Sequence, residues 1–564
     1  MTTINTSTNF DQLNIGVYQW PITIEGGAPN APIKIKFKSD ITFTSADNYF
    51  IINTDYVQFD GKCNHIYIAN VDNYMGLIRN GSYDHEENIY IEAFSNIVIS
   101  NINISSSNST LVMDDESYGN GWICQAYYGN QATNNFIIKS KVQGDLDENY
   151  CGGFCGEQTA ANGGNLVIED CVYTGTINGE SCGGIIGSSA NYNGGTIFIT
   201  RTISNATINT EESGGFLGEY ACDCDFIEPN FRQMRAKKSA KSFLSKLSNS
   251  KEISKNITGR KNNKKNLSRD VPTVEPIVSP IDGVITISGC VFNGTLNVSE
   301  DDDSYDGSAG FVGPYSAEPV NSTINIFDSI FNGDINAPYC AGFIGQSSAL
   351  FGTVNLVSNV YNGNIYLNGN SAFSGGFIGM NTAVFGSASV QNCRFNGYIN
   401  QPFSGGIIAP FCLSVYDGFD EDNEYEFDSP TGNIFLSGCS MTGIIDGEYI
   451  GGIVGGYLGF IYYDNDEDFN NVNNGTFLME NCIFAGEIAG LYSAGLIVGT
   501  AFGNTEEWVF NGVEIKNCKS KCDINEVTCV PLIGPGLPEN FYFFTNSNNN
   551  IVINTFDFGT NNLG

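Results

Sequence analysis

Short runs of alternating apolar and polar residues, separated by Asn, Gly, Asp and Ser, fill most of the chain. Examples are "NLVIEDC", "GTIFIT" and "GVITISGC", which are six to eight residues long. Runs that are rich in β-branched and aromatic residues and bounded by turn formers predict short strands. A helical period is absent except for a short amphipathic stretch within one basic insertion. The pattern therefore predicts an all-β protein.

A six-residue motif with the pattern small-small-Gly-apolar-apolar-Gly recurs along the chain. The copies "CGGFCG", "CGGIIG" and "SGGFLG" begin at Cys151, Cys182 and Ser213, so they lie 31 residues apart. Later copies follow at intervals of 32, 34, 30, 46, 43 and 36 residues, beginning at Ser308, Cys340, Ser374, Ser404, Ile450, Ser493 and Cys529. A second motif, such as "ISGCVFNGTL", precedes most copies. A repeat of about thirty residues is thus kept while extra length is inserted at particular points.

Three short strands in each repeat predict a right-handed parallel β-helix, a solenoid in which equivalent residues stack ~4.8 Å apart. We expect the motif glycines to allow positive φ and close approach at corners, and one of the two apolar residues between them to face the interior. One position of the second motif should form a ladder of small interior side chains. Its members are Cys171, Cys290, Ser329, Asn359, Cys393, Cys439, Cys482 and Cys518.

The repeats also predict the domain organisation. Residues 1–115 lack the double-glycine motif and are interpreted as an N-terminal cap with the opening turns of the solenoid, because an uncovered end would expose unpaired strand edges. Repeats occupy 116–230 and 271–540, and 541–564 form a C-terminal capping segment. A basic loop insertion at 231–270 interrupts the repeats.

The "C-x-F-N-G" and "S-G-G-F-I-G" motifs, together with the opening segment, resemble the pectin-lyase-like right-handed β-helix proteins encoded by giant viruses of amoebae. The Gly-apolar-apolar-Gly element also resembles the GLUG motif of bacterial surface adhesins. The resemblance covers nearly the whole chain apart from the insertion, and it implies a virion or surface-fibre protein. It does not select an activity, because lyases, hydrolases, tailspikes and inert fibres share the fold.

The charge of the chain narrows the set of partners. With 61 acidic and 25 basic residues, the net charge is −36, which disfavours nucleic acid, anionic membranes and uronate polymers. The insertion is the exception, since residues 231–269 hold 13 Lys and Arg against one acid, Glu252. A disordered surface loop is the favoured interpretation of this segment. The alternatives are an arm that binds the acidic flank of a neighbouring molecule, and an arm that binds nucleic acid or anionic lipid.

The N-terminus has neither a basic start nor an apolar core, and the chain contains no run of eighteen apolar residues. These features predict synthesis in the cytoplasm without a signal peptide or a membrane span. The resemblance to the viral proteins implies that the chain is then incorporated into a virion. The seventeen cysteines are scattered, which favours free, buried thiols.

Candidate catalytic residues are scarce. Cleavage of an acidic polysaccharide needs cations near the uronate, yet the bases beyond position 142 and outside the insertion are only Arg201, Arg394, Lys516, Lys519 and Lys521. His65 and His85 lie in the opening region without cysteines at zinc spacing. The close cysteine pairs Cys222/Cys224 and Cys518/Cys522 also lack a nearby histidine. The sequence therefore predicts no catalytic and no cofactor-binding residue.

Acidic loops begin at Asp114, Glu300, Asp417 and Asp464. Asp464, Asp466 and Asp468 alternate like the ligands of a calcium loop but lack its glycine and distal glutamate. A solvated loop is favoured, and a weak calcium site at these three aspartates is the alternative. Hydrolysis of a neutral glycan by two loop carboxylates stays open as well. Trp20, Trp122 and Trp508 are candidates either for sugar stacking or for interior packing.

Together these observations favour a non-catalytic structural or adhesive protein of a virion or surface fibre. Its expected partners are copies of itself, other virion proteins or glycans. The alternatives are a carbohydrate-active enzyme, either a glycoside hydrolase or a lyase, and a glycan-binding module on the same fold.

Overall fold

Strands of two to six residues make up the regular structure, and nearly all of them pair in parallel with the equivalent strand of the next repeat. The computed structural model of the chain describes residues 1–84, 89–112, 118–224, 283–298, 307–366, 373–413, 415–416, 431–456, 458, 461–462, 472–473, 475–490, 493, 509–510, 513–520, 523–524 and 552–554. Within these ranges the helical content is one 3-10 turn, Ile15–Val17. The all-β prediction is confirmed.

The longest sheet, here called the first sheet, contains fifteen strands, and each strand comes from a later part of the chain than its neighbour. Its strands are Thr8–Phe10, Ile33–Phe37, Val57–Asp60, Val98–Ser100, Asn135–Ile138, Gly164–Glu169, Gly195–Thr200, Gly283–Ser288, Thr323–Phe327, Thr353–Val357, Ser387–Gln391, Asn433–Ser437, Thr476–Glu480, Val513–Lys516 and Val552–Asn554. Parallel strands need a crossover between them, and here each crossover is the remainder of a repeat.

The second sheet follows the same order with fourteen strands. They are Ile41–Phe43, His65–Ala69, Asn103–Ser107, Lys141–Gln143, Val172–Ile177, Ile203–Ile208, Val291–Phe292, Thr295–Leu296, Ile330–Phe331, Val360–Tyr361, Arg394–Phe395, Ser440–Met441, Ile483–Phe484 and Lys519–Ser520. Long parallel sheets built from successive repeats are consistent with a β-solenoid.

Five smaller sheets complete the strand inventory. Two have four parallel strands each: Thr2–Ile4, Ile22–Ile24, Phe50–Ile52 and Ile78–Arg79 in one, and Tyr398–Ile399, Ile444–Ile445, Glu487–Ile488 and Asp523–Ile524 in the other. Two parallel pairs join Val415–Tyr416 to Ile461–Tyr462 and Val472–Asn473 to Val509–Phe510. Ser82–Asp84 and Ile89–Ile91 form an antiparallel hairpin.

The double-glycine motif does not form a continuous third strand. It pairs with the next repeat at two isolated positions, for example Gly183 with Gly214 and Ile186 with Leu217. The same bridges connect Gly121 to Gly152, so "NGWIC" is a further, degenerate copy that the sequence comparison missed. Both apolar residues of the motif are buried, whereas one interior side chain was expected.

The expectation of positive φ at the motif glycines is wrong. The positive φ lies instead at the residue before most of the described copies, for example 61° at Tyr150, 57° at Glu212 and 72° at Phe373, although Gly307, before the copy at Ser308, has no positive φ. A Cβ on Gly376 would lie against the carbonyl oxygen of Gly406 and 2.6 Å from Cδ2 of Phe395. The glycine is therefore needed for close approach between neighbouring repeats.

Two ladders of stacked aromatic rings fill the interior. The phenylalanines of the first motif stack at centroid distances of 4.6–4.7 Å from Phe216 through Phe311 and Phe343 to Phe377. The aromatic residues of the second motif form a parallel ladder at 4.5–5.1 Å, which runs through Phe292, Phe331, Tyr361 and Phe395. Strands alternate between buried and outward-facing side chains, so these rings all face one core.

Small polar side chains form two further interior ladders. The predicted ladder of Cys171 and its equivalents is confirmed, because each of the eight positions is at most 1 % exposed. In the first motif, the Oγ atom of Ser213 accepts the backbone N–H of Cys182 at 3.0 Å, and Ser308 does the same for Ser213. Cys, Ser and Asn suit these positions because each brings a short side chain that accepts a hydrogen bond.

An exposed ladder follows the asparagine of the "F-N-G" motif. Each amide nitrogen donates to the preceding amide oxygen at 2.8–3.0 Å, from Asn396 through Asn362, Asn332 and Asn293 to Asn205. Asn205 donates to Thr174 and Thr442 donates to Asn396, which extends the ladder over seven repeats.

An aromatic cluster closes the core near the first strands of the sheets. Trp20 packs edge-on against Phe43 and Phe50, with ring centroids 5.3 and 5.1 Å apart, and Phe10 lies 5.4 Å from Phe50. The cap at 1–115 and the other predicted domain boundaries stay predictions. The insertion at 231–270 lies outside the described residues, as do most of the residues at 541–564.

Candidate functional site

The aspartates proposed for a calcium site, Asp464, Asp466 and Asp468, lie outside the described residues. The acidic loops that begin at Asp114, Glu300 and Asp417 do so too. The weak calcium site therefore stays a prediction. Within the ranges that the structure describes, no three His, Cys, Asp or Glu side chains are grouped so that they could hold a metal ion.

Among the described histidine and cysteine candidates, His65 and Cys222 show no sign of a reactive or metal-binding role. The exposed His65 stacks its ring on Tyr67 at 5.6 Å, and His85 lies outside the described residues. Burial raises the pKa of the Cys222 thiol to about 12, so this cysteine stays protonated and unreactive. Cys224 is half-buried, and Cys522, the proposed neighbour of Cys518, lies outside the described residues.

Arg201, one of the few bases among the repeats, is already paired. Its Nε donates to the Asp170 carboxylate at 2.7 Å, and its guanidinium also contacts Glu169. These contacts raise the pKa of Arg201 further. The guanidinium therefore has its charge matched within the protein, which leaves it poorly suited to hold an anionic substrate.

The described tryptophans belong to the core. Trp122 is fully buried, and Trp20 packs partly buried against the hydrophobic core. The interior-packing alternative therefore holds for Trp122, and the contacts of Trp20 with Phe43 and Phe50 favour it for Trp20. Trp508 lies outside the described residues.

A group of tyrosine and glutamate side chains lines one corner of successive repeats. The corner forms because the double-glycine motif doubles back, which brings the residue before the motif beside the residues after it. The backbone N–H of Glu157, which follows one copy of the motif, donates a hydrogen bond of 2.9 Å to the carbonyl of Gly119, which precedes the copy in the neighbouring repeat. We call this group the Tyr–Glu corner; its members are Tyr118, Tyr127, Tyr150, Glu157, Ser181, Glu212, Glu219 and Tyr220.

Two carboxyl groups of the corner share one serine. Ser181 Oγ lies 3.1 Å from Oε2 of Glu212 and also contacts Oε2 of Glu219. A hydroxyl carries one hydrogen, so both contacts are hydrogen bonds only if one carboxyl oxygen carries a proton. Glu219 is the better candidate because it is 2 % exposed, whereas Glu212 is half-buried.

The electrostatics of Glu219 agree with that assignment. Burial, together with the nearby Glu212 carboxylate, raises the pKa of Glu219 to about 8, although hydrogen bonds from Ser181 and Tyr220 lower it in part. A carboxyl group that cannot reach water favours its neutral form, and a second carboxylate beside it acts in the same direction. At neutral pH the pair therefore holds one proton and one negative charge.

Tyrosines surround the carboxylates. Burial and the carboxylates of Glu219, Glu157, Glu212 and Glu180 raise the pKa of Tyr150. Glu157 is 8 % exposed and accepts the backbone N–H of Gly119 at 3.2 Å. The rings of Tyr118 and Tyr127 lie 5.0 Å apart, next to the hairpin rings of Tyr83 and Tyr90. The corner thus combines phenols with carboxylates, the groups that could hold and transfer a proton.

A second acid with a raised pKa, the half-buried Glu318, lies in a neighbouring repeat. Burial and the carboxylate of Asp223 raise the pKa of Glu318 to about 8. Stacked rings of Tyr220 and Tyr315, with centroids 5.6 Å apart, lie in the same two repeats. The neutral form of a carboxyl group is therefore favoured at two places in the repeats.

Sequence reasoning missed the Tyr–Glu corner, although part of the signal was present. Glu157 and Glu219 each follow the last glycine of their motif, so they occupy the same position of the repeat, with Ser188 between them. That alignment would have found the pair. It would not have found Glu212, which approaches Glu219 only because of the way the motif doubles back.

Comparisons with known proteins give no relative: no family model, curated protein or solved structure matches the chain. Of the helices among the described residues, none has the length and apolar character needed to cross a membrane.

Proposed function

We propose that the chain is a non-catalytic structural or adhesive protein, a right-handed parallel β-helix of the pectin-lyase-like kind that belongs to the particle or surface fibre of a giant virus. The observation that carries the proposal is that the residues repeated in both motifs make contacts between repeats. The aromatic, Ser/Cys, Asn and Gly positions each meet their counterparts in the next repeat. Repetition in this chain therefore serves the stacking of one repeat on the next.

The chemistry of the described residues supports the same proposal. An enzyme that acts on acidic polysaccharide would need unpaired cations near its substrate, and Arg201 has its charge matched by Asp170 and Glu169. Burial raises the pKa of the Cys290, Cys340 and Cys412 thiols to about 12, which makes these three poor nucleophiles. The resemblance to β-helix proteins of giant viruses supports a location in the virus particle or its surface fibres.

Mass spectrometry of purified virus particles from cells that produce the chain tests the location. We expect the chain in the particles, at a constant ratio to the other particle proteins across a density gradient. Its presence in infected cells but absence from the purified particles would refute the structural role.

A polysaccharide screen tests the absence of catalysis. Full-length protein incubated with neutral and acidic polysaccharides should release no reducing ends and no unsaturated products. Binding without product release would favour the adhesive form of the proposal over a purely structural one.

The Tyr–Glu corner favours one second candidate, a hydrolase acting on neutral glycans. Glu157 and Glu219 occupy equivalent positions two repeats apart, which corresponds to ~9.6 Å along a parallel sheet. Paired carboxyls of inverting glycosidases stand ~6.5–9.5 Å apart, and the acid of the pair has a raised pKa. Glu219 has such a pKa, about 8, but its 2 % exposure leaves little room for a substrate.

Single substitutions separate this candidate from the structural role. If a neutral polysaccharide is cleaved, Glu219→Gln and Glu157→Gln should each abolish product release, while the exposed Glu180→Gln serves as the control. Product release that persists in both variants would exclude the Tyr–Glu corner as the catalytic site.

A further inference from the structure

The interior ladder that begins at Cys171 carries a cysteine in four consecutive repeats. In chain order these are Cys393, Cys439, Cys482 and Cys518, here called the thiol column. The strands before and after the ladder pair in the same register, so each of these residues lies directly next to its counterpart in the following repeat. All four side chains are buried, and all four are free thiols.

The spacing of the thiol column suits a disulfide. Neighbouring parallel strands lie ~4.8 Å apart, and the Cα atoms of a disulfide usually lie ~4.4–6.8 Å apart. Two neighbours in the column both direct their side chains to the core, so their Cβ atoms do not point away from one another. Earlier in the ladder, Thr202 separates Cys171 from Cys290, and Ser329 follows Cys290. Among the ladder positions that the structure describes, the thiol column alone places one cysteine next to another.

Cys518 differs from the other members of the column in two ways. A contact with the Cys482 thiol lowers the pKa of Cys518, although burial acts in the opposite direction, and a lower pKa gives a larger thiolate fraction. The strand that follows it, Lys519–Ser520, is also the last strand of the second sheet in the part of the chain that the structure describes. Cys518 is 1 % exposed, so an oxidant reaches it through local opening, and the end of a stack opens more easily than its interior.

Two further pairs of neighbouring cysteines lack this combination. Cys124 pairs directly with Cys155, and the carbonyl of Cys151 accepts the N–H of the residue after Cys182. Burial raises the pKa of Cys124, Cys151 and Cys182. Their repeats also pair with described repeats on both sides, so these thiols lie inside the stack.

We propose that Cys482 and Cys518 are a redox modification site, at which a peroxide produces a disulfide that joins strand Ile483–Phe484 to strand Lys519–Ser520. The inference goes beyond the structural role, which does not require this cross-link.

The oxidation balances with hydrogen peroxide as the two-electron oxidant. The Cys518 thiolate attacks one peroxide oxygen, the O–O bond breaks, and hydroxide leaves as Cys518 becomes a sulfenic acid. The sulfur of Cys482 then attacks the sulfenic sulfur. The S–S bond forms, and the S–H proton of Cys482 leaves with the hydroxyl group as water. Each sulfur loses one electron, and the two peroxide oxygens gain them.

Peptide mapping of the folded full-length protein after exposure to hydrogen peroxide tests the proposal. The remaining thiols are alkylated in denaturant, and digestion with trypsin and a glutamate-specific protease puts Cys439, Cys482 and Cys518 on separate peptides. We expect a reductant-sensitive species that joins the Cys482 and Cys518 peptides, with a mass lower than their sum by two hydrogen atoms. The chain should lose two free thiols.

The chain offers matched controls. Cys151 and Cys182 are neighbouring and buried but lie inside the stack, so both should stay free for alkylation. Cys518→Ser should abolish the cross-link, whereas Cys439→Ser, which removes the neighbour of Cys482 on its other side, should leave it intact. Both variants should fold, because Ser329 occupies the same ladder position in another repeat.

Three outcomes would overturn the proposal. One is a folded wild type in which Cys482 and Cys518 both remain free for alkylation after peroxide treatment. Another is a cross-link from Cys482 to Cys439 in place of Cys518, or a link between Cys151 and Cys182 that forms to the same extent. The third is a link between Cys482 and Cys518 that forms only after the protein is unfolded in urea, since the fold would then play no part in their pairing.

Discussion

The glycines of the repeat motif are required by the close approach of neighbouring repeats. Gly376 has no positive φ, yet a Cβ there would press on the backbone of Gly406 and on the ring of Phe395. In most of the described copies the left-handed backbone belongs to the preceding residue, which is then Tyr, Ser, Glu or Phe. The glycines of the motif therefore indicate tight contact between repeats. The left-handed corner conformation is adopted by a different residue, whose type varies from repeat to repeat.

The first prediction concerns Gly376. Gly376→Ala should lower the free energy of unfolding by ~1–3 kcal/mol, because the added methyl group overpacks a site bounded by backbone. Gly16→Ala is the control, since a Cβ at Gly16 would meet nothing within 4 Å. Thermal unfolding followed by circular dichroism measures both, and equal melting temperatures would contradict the close-approach explanation.

The second prediction concerns the pH dependence of stability. The pKa of Glu219 is about 8 in the folded protein and near 4.5 in the unfolded chain, so its stabilising contribution is complete below pH 4.5 and is lost as pH rises through about 8. Each pKa unit corresponds to ~1.4 kcal/mol, so the loss is on the order of a few kcal/mol. Glu318 acts in the same direction.

Urea unfolding between pH 5 and 9 checks this expectation. Glu219→Gln replaces the titrating group with a neutral one and should make the profile shallower, with the contribution of Glu318 remaining, whereas the exposed Glu180→Gln should leave the profile as in the wild type. A wild-type protein that becomes more stable from pH 5 to 8 would show that the proton is not held by this pair.

At the scale of the strands, many of the positions that recur in the sequence form hydrogen-bonded ladders between repeats. The period of the chain was enough to predict parallel strands, stacked repeats and the ladder that begins at Cys171. It was not enough to predict the Tyr–Glu corner, where Ser181 and Glu219 are separated by 38 residues instead of the 31 of the local repeat. The repeat period predicts which residues are neighbours in adjacent repeats. It does not predict which residues are brought together within a turn, because this depends on the backbone conformation of the turn.

The third prediction concerns the asparagine ladder. Asn332 donates to Asn293 and accepts from Asn362, so Asn332→Ala removes two side-chain hydrogen bonds and should cost ~1–2 kcal/mol. Asn297 accepts one side-chain hydrogen bond, from Asn336, and Asn297→Ala should cost about half as much. Chemical denaturation of the two variants gives the comparison. A larger loss for Asn297→Ala would mean that the ladder amides contribute little.

At the scale of the whole molecule, the first sheet continues across the basic insertion, because the strands before and after the insertion pair with each other. Gly195–Thr200 precedes the insertion and Gly283–Ser288 follows it, and the two pair over six residues in the first sheet. The repeats before and after the insertion are therefore held by backbone hydrogen bonds, independently of the chain that joins them.

The fourth prediction follows from that pairing. Limited trypsin digestion should cut first between Arg232 and Arg269, where the chain offers 13 Lys and Arg in 39 residues, and should leave two fragments that elute together. Size-exclusion chromatography followed by denaturing electrophoresis distinguishes this result from separation of the fragments. Resistance to trypsin in this segment would favour the interpretation of the insertion as a docked arm.

The 31-residue offset between hydrogen-bonded groups has a consequence for how such a chain can change by mutation. Gly214 donates to the carbonyl of Cys182 as Gly183 donates to that of Cys151, so loss of residues 182–212 would bring Gly214 to Cys151 with the same partner geometry. Duplication of the same segment would insert one more matching layer. Gain or loss of one such repeat therefore changes the number of layers and keeps equivalent positions paired. Extra length between the motifs leaves the register intact as well, as the pairing of Ser387 with Asn433 across a 46-residue interval shows, whereas an odd shift inside a strand would turn its buried side chains outward.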